Sequence, residues 1–232
     1  MTKIIIAKKT LIFLSILIPS VLFAQGEFIT RWNFATAGSG ATQLSFGTET
    51  SGTLNYYWQE VSPGTATGSG SFSGTTLTIN GLPSGATIRL GIYPTNFQRI
   101  NISIGNDEDE YRLLDVEQWG STVWTSMATA FYGCINLNIT ATDIPVLNSC
   151  TSIQSMFQNC RTINGLTNIN FWNTAAVTNL VVTPINTSGM IRLSKTTSIV
   201  CTSVRPSPAM SKITLMISSG LANYTASERK LI

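Results

Sequence analysis

The feature that most limits how this chain can fold is an internal echo. Residues 125–138 laid over residues 151–164, an offset of 26, are identical at Thr125/Thr151, Ser126/Ser152, Phe131/Phe157, Cys134/Cys160 and Asn138/Asn164. Met127/Ile153, Thr129/Ser155 and Leu137/Ile163 are close replacements. Five identities in fourteen positions stand well above the roughly one that chance supplies. The frame reaches upstream as well, because Trp119, Pro145 and Trp172 each stand five residues before Trp124, Cys150 and Val177, with a second interval of 27. A repeat of this kind is one supersecondary unit that cannot bury its apolar stripe alone, so it must stack on a neighbour.

A period of 26 to 27 residues lies in the range of leucine-rich repeats, each unit being one turn of a solenoid. Met127, Ala130, Phe131 and Cys134 fall at i, i+3, i+4 and i+7, as do Ile153, Met156, Phe157 and Cys160. This spacing predicts a two-turn helix in each unit, with Ser126 and Ser152 as N-caps. Leu113, Ile139 and Leu166 then align as a stacked apolar ladder.

Ahead of the repeats the period is two. Phe28, Trp32 and Phe34 predict a first strand, Leu44 and Phe46 a second, Leu54, Tyr56 and Trp58 a third, and Leu77 and Ile79 a fourth. Ile88, Leu90 and Ile92 give a fifth and Ile100, Ile102 and Ile104 a sixth. Gly38-Ser39-Gly40, Pro63-Gly64, Gly68-Ser69-Gly70 and Pro83-Ser84-Gly85 read as turn punctuation. Six short strands with one apolar face each predict two sheets face to face, an immunoglobulin-like β-sandwich. The expected class is therefore mainly β with short helices. An N-terminal sandwich at 25–106 is followed by a short leucine-rich solenoid at 107–180 and an irregular tail at 181–232.

The first 24 residues read as an export signal. Lys3, Lys8 and Lys9 precede an apolar run from Leu11 to Ala24, broken by Pro19 and followed by Gln25. The run is short for a membrane span, and no later segment is long and apolar enough, so no transmembrane segment is expected after removal of the signal. Without those three lysines the chain holds 11 basic and 11 acidic residues. A net charge of zero removes the basic footprint that a nucleic-acid partner needs. The chain has no histidine, which excludes Ser/His/Asp and Cys/His nucleophile systems and His-containing zinc sites. No residue pattern implies a cofactor or a metal centre.

The strings Thr125-Ser126-Met127 with Ala130-Phe131-Tyr132-Gly133-Cys134, Thr151-Ser152-Ile153 with Met156-Phe157-Gln158-Asn159-Cys160, and Trp172-Asn173-Thr174 with Val177-Thr178-Asn179 resemble the repeat of the BspA-like leucine-rich repeat surface proteins of bacteria. Phe28-Ile29-Thr30-Arg31-Trp32 and Leu113-Leu114-Asp115-Val116-Glu117-Gln118-Trp119-Gly120 are similar to the usual opening of such proteins. The resemblance covers about residues 27–180. It implies a secreted or cell-surface protein used for adhesion or recognition, with no catalytic residues to carry over.

The pattern stops after Leu180, where Thr183 and Pro184 occupy positions that a further repeat would make apolar. Residues 25–180 carry a net −5 and residues 181–232 a net +5. The tail is expected to be either a divergent C-terminal cap or the product of a shifted reading frame, poorly ordered from about 184.

Candidate sites follow from the remaining polar groups. Thr129, Gln154, Gln158 and Arg161 are expected on the outside of the coils, available to a protein or glycan, and Tyr57 points opposite to Tyr56 and Trp58 and is the aromatic expected to be exposed. Trp32, Trp58, Trp119 and Trp172 share the phase of the core. Asp107, Glu108, Asp109 and Glu110 offer carboxylates to Ca²⁺ but lack the EF-hand spacing, and are read as a solvated turn between domains. Cys134 and Cys160 occupy equivalent places in adjacent coils, compatible with a disulfide, with packing as the favoured role; Cys150 and Cys201 have no partner by spacing. The leading expectation is a secreted or cell-surface binding and adhesion protein without catalysis. The alternative is a structural module that self-associates through the open end of the repeat array, and a carbohydrate-active enzyme ranks third.

Overall fold

The computed structural model describes residues 26–103, 109–163 and 168–179, together with the backbone of 190–192 and 200–202. The signal at 1–24, Asp107, Glu108, Leu166 and nearly all of the tail lie outside the described residues. The chain is mainly β. Seven strands precede residue 103: β1 (Phe28–Asn33), β2 (Leu44–Thr50), β3 (Leu54–Glu60), β4 (Thr67–Phe72), β5 (Thr76–Ile79), β6 (Thr87–Ile92) and β7 (Phe97–Asn101). Then come β8 (Leu113–Gln118), β9 (Asn138–Ile139), β10 (Met190–Arg192) and β11 (Val200–Thr202). Among the described residues the helical content is two 3-10 turns, Asp109–Tyr111 and Ile169–Phe171.

One sheet has the order β4-β3-β6-β1-β8-β9 and a second the order β5-β2-β7. Alternation decides which side chains meet. Phe28, Trp32, Leu54, Ile88, Leu90 and Ile92 of the larger sheet and Leu44, Phe46, Leu77, Ile79, Phe97 and Ile100 of the smaller are all buried in one continuous core. Trp32 stacks on Phe46 with ring centroids 5.7 Å apart and planes 10° apart, joining β1 to β2.

The sequence reading missed β4. Thr67-Gly68-Ser69-Gly70-Ser71-Phe72 has the composition of a loop, yet it pairs in unbroken register with β3 from Leu54↔Phe72 to Gln59↔Thr67. The glycines are needed there because the rings of Tyr56 and Trp58 lie where Cβ atoms at Gly70 and Gly68 would stand.

The larger sheet does not stop near residue 106. β8 pairs antiparallel with β1, and β9 pairs parallel with β8, placing Ile139 beside Val116 rather than beside Leu113. The junction is pinned by a buried ion pair. Asp109 Oδ1 lies 2.9 Å from Arg112 Nη1, with the two side chains 0% and 2% exposed. Each polar atom of the pair has a partner: Asp109 accepts from Ser39 Oγ and from Ser45 N, while Arg112 donates to the carbonyls of Thr36, Gly40 and Gln43 and lies over the Phe34 ring. Asp109 is thus a buried clasp, in contrast to the solvated turn expected. Full pairing is what makes a buried carboxylate tolerable.

The helices expected in the repeats do not form. In each unit three overlapping turns form: the outer two are closed by Ala130 N to Met127 O and Cys134 N to Phe131 O, and by Met156 N to Ile153 O and Cys160 N to Phe157 O, with Tyr132 N to Thr129 O and Gln158 N to Ser155 O closing the turn between them. The third residue of each outer turn has positive φ: Thr129 55°, Gly133 78°, Ser155 54° and Asn159 65°. That is the type II requirement, and it is incompatible with a right-handed helix. Ser126 and Ser152 accept from the N–H groups two residues on, as local turns rather than N-caps.

The reason lies between the units. Met127, Thr129, Phe131 and Gly133 donate their N–H groups to the carbonyls of Ser152, Gln154, Met156 and Gln158, at 2.8, 2.8, 2.9 and 2.9 Å. A helix would consume those donors internally. The turn series leaves every second N–H free to reach the next coil, and stacking makes use of it. The coils are further tied by the two-residue β8–β9 pair, by the single parallel bridges Val123↔Val146 and Ser152↔Asn179 and by isolated backbone bonds, and among the described residues no long sheet runs through them.

Candidate binding surface

The outside of the coils is defined by what the inside consumes. Phe131 and Phe157 stack at 5.6 Å with planes 8° apart, so equivalent residues of adjacent units sit in adjacent layers. Trp119 meets Phe131 edge-on at 6.0 Å and Trp172 edge-on at 5.4 Å. Phe28 of β1 joins this series through Trp119 and Trp124. The sheets and the coils therefore share one aromatic core.

The first coil rests on β7. Thr125 N donates to Gln98 O, just as Thr151 N donates to Thr125 O and Thr178 N to Thr151 O. Ile102 N donates to Ala130 O, Arg99 Nη2 to Ala128 O and Asn101 Nδ2 to Thr129 Oγ1. Residues 98–102 thus occupy the place of a coil below the first. This engages Thr129, which is half-buried and held from both sides.

Of the other residues singled out, Gln154 and Arg161 are exposed and Gln158 is half-buried. Gln154 Oε1 accepts from Asn179 Nδ2 at 2.9 Å, and Asn148 Oδ1 accepts from Asn173 Nδ2 at 2.8 Å, so amide side chains pair between layers while keeping a polar edge to solvent. Tyr57 is not exposed: only 8% of it is accessible. Its ring leans across β6 over Gly91, where a Cβ would meet it, and against Tyr93 at 5.5 Å. Burial, then the Glu27 carboxylate and Tyr93, raise its phenol far above the ordinary range. Tyr56 is half-buried, and its hydroxyl too is raised by burial, whereas Tyr93 and Phe171 are the exposed aromatics among the described residues, 42% and 72% accessible.

A second polar surface was not singled out from the sequence. On the outer face of the larger sheet a shallow groove of about 510 Å³ is lined by Ile29, Arg31, Arg89, Asp115, Glu117, Gln118 and Thr140. Arg31 contacts Asp115 at 3.0 Å and Glu117 at 3.4 Å, and Arg89 pairs with Glu117. Asp115 also accepts from the N–H and hydroxyl of Thr140, fastening β9 to the sheet. Its signal was the period-two alternation of Arg31 with Trp32 and of Asp115 and Glu117 with Val116, which puts the charges on one side; the pairing of β1 with β8 that brings them together is not visible in either segment alone.

Cys134, Cys150 and Cys160 are buried and free. Cys160 Sγ lies 3.1 Å from Phe131 O in the coil below. Burial pushes its thiol up to about 12, opposed by the Cys134 N–H, and burial followed by Cys160 and Glu110 pushes Cys134 well up. These thiols pack between layers. Among the described residues no group of three or more His, Cys, Asp or Glu could hold a metal ion, and no helix is long and apolar enough to cross a membrane. Comparison with protein-family models, with curated proteins and with solved structures finds no match for this chain.

Proposed function

We propose that the chain is an exported or cell-surface recognition protein of the BspA-like kind. In this reading an N-terminal β-sandwich forms the base of a short leucine-rich solenoid, and the solenoid presents polar side chains to a protein or glycan. The observation that carries it is the layered contact of Phe131 on Phe157. Stacking commits the apolar side chains inward and leaves Gln154, Gln158 and Arg161 on successive turns of an outer edge. Amides and a guanidinium suit hydrogen bonding to hydroxyls, backbone groups and carboxylates. The chain has no histidine to move protons near neutral pH, which favours binding over catalysis.

The test is a glycan-array and pull-down screen of the exported chain, repeated with Gln154→Ala combined with Arg161→Glu. Loss of about tenfold or more in affinity for a captured ligand supports this edge as the contact. Unchanged affinity moves the contact elsewhere, with Arg31 and Arg89 of the sheet groove as the next positions to replace.

A further inference from the structure

Among the described residues the larger sheet ends at β4, and nothing there protects this edge in the usual ways. From Val61 to Ile88 the chain contains no charged residue. β4 itself has no proline, no bulge and six consecutive paired residues. The other ends of the sheets are covered or short: β9 has two residues and β5 four, and β7 is taken up by the first coil. Long, flat, uncharged edges are templates for a further strand.

The pairing parity says which groups are free. Glu60 N donates to Ala66 O at one end of the β3–β4 pair, and Tyr93 N donates to Asn55 O on the other side of β3. Even-numbered residues of β3 therefore bond to β4 and odd-numbered ones to β6. On β4 the main-chain groups of Gly68, Gly70 and Phe72 turn to β3, leaving the N–H and C=O of Thr67, Ser69 and Ser71 at the open edge. None of the described residues hydrogen-bonds them. Their side chains are exposed, while Ala66 and Phe72 pack against the core from its margin.

We propose that this edge joins a second copy of the chain, β4 to β4 antiparallel, about a two-fold axis at Ser69. The register is self-complementary. Ser69 faces Ser69 of the second copy, Thr67 faces Ser71, and each of these pairs can exchange two backbone hydrogen bonds. Hydroxyls meet hydroxyls on the outer face, glycine meets glycine on the inner face, and Phe72 reaches Ala66 of the other copy. No charge opposes the approach, and matched Thr and Ser pairs are among the favourable cross-strand neighbours. The result is one sheet continuous through two molecules, with both coil stacks left free to bind.

Sedimentation velocity of the chain recovered after export tests this. A concentration-dependent doubling of mass is expected, together with slowed amide exchange at Thr67, Ser69 and Ser71. Thr67→Glu with Ser71→Glu puts like charges across the axis and should leave monomers at concentrations where the parent is dimeric. Thr67→Lys with Ser71→Glu pairs opposite charges in the same register and should keep the dimer. All these positions are exposed, so thermal melts of the two double variants should match at concentrations low enough to keep both monomeric. A parent that stays monomeric at about 100 µM, a regime in which even weak association would register, overturns the proposal. So does a dimer indifferent to both double variants, which would place assembly at the open end of the coils.

Discussion

The sheets and the coils solve the same problem, the pairing of buried backbone groups, in opposite ways. In the sheets each interior strand satisfies its N–H and C=O groups with neighbours on both sides, and a period of two is enough to say which side chains go inward. In the coils the N–H groups alternate in duty, one closing a turn within the unit and the next reaching the unit above. That scheme requires four residues with positive φ, only one of which is glycine. The lesson is that a stripe at i, i+3, i+4 and i+7 does not imply a helix when a neighbouring coil competes for the donors.

The largest effect should come from the clasp between the two regions. Asp109→Ala strands the Arg112 charge in a buried site and should cost about 3–5 kcal/mol in urea unfolding. If the loss is below about 1 kcal/mol, the clasp does not hold the regions together. Next, Phe46→Ala in the sheets and Phe131→Ala in the coils should each cost about 3 kcal/mol, since both rings are fully buried. Because the aromatic core is continuous, both variants should melt in a single transition. Two separated transitions would break the idea of one cooperative unit.

Alkaline pH acts on both regions, through the raised phenols of Tyr56 and Tyr57 in the sheets and through buried thiols in the coils. The Cys160 and Cys134 thiols have raised folded values, so the folded chain keeps protons that the unfolded chain releases above about 9. Their contribution is intact below that pH and is lost as pH climbs towards about 12. Cys160→Ala should flatten this decline in chemical denaturation, whereas an unaltered slope would show that the thiol is not the cause. The smallest effects discriminate turn from helix. Gly133→Ala should cost about 1 kcal/mol because φ is positive there, and Asn159→Gly should be neutral or slightly stabilising. In a helix the signs would be reversed, since alanine favours and glycine disfavours a helical interior.

The β strands with large alternating residues were legible in the sequence, as were the buried tryptophans and the layer contact between Phe131 and Phe157. β4 was not, because its glycines are chosen by the rings of Tyr56 and Trp58 from another strand. The turn series was hidden because Thr129 and Ser155 carry no local mark of positive φ. Asp109 read as solvent-facing since its partners, Ser39, Ser45 and the carbonyls around Arg112, are scattered over some seventy residues of chain. Tyr57 was misplaced for a related reason: alternation sets its side of the sheet but not that Gly91 opens a bed for the ring.

Placing residues 98–102 beneath the first coil gives the stack a polarity. A ready-made edge of fixed register is offered at one end, so each successive unit can form on an existing template instead of nucleating alone. Lengthening or shortening such an array by whole units would then leave its foundation untouched. The reach of the molecule and the integrity of its base are separable traits.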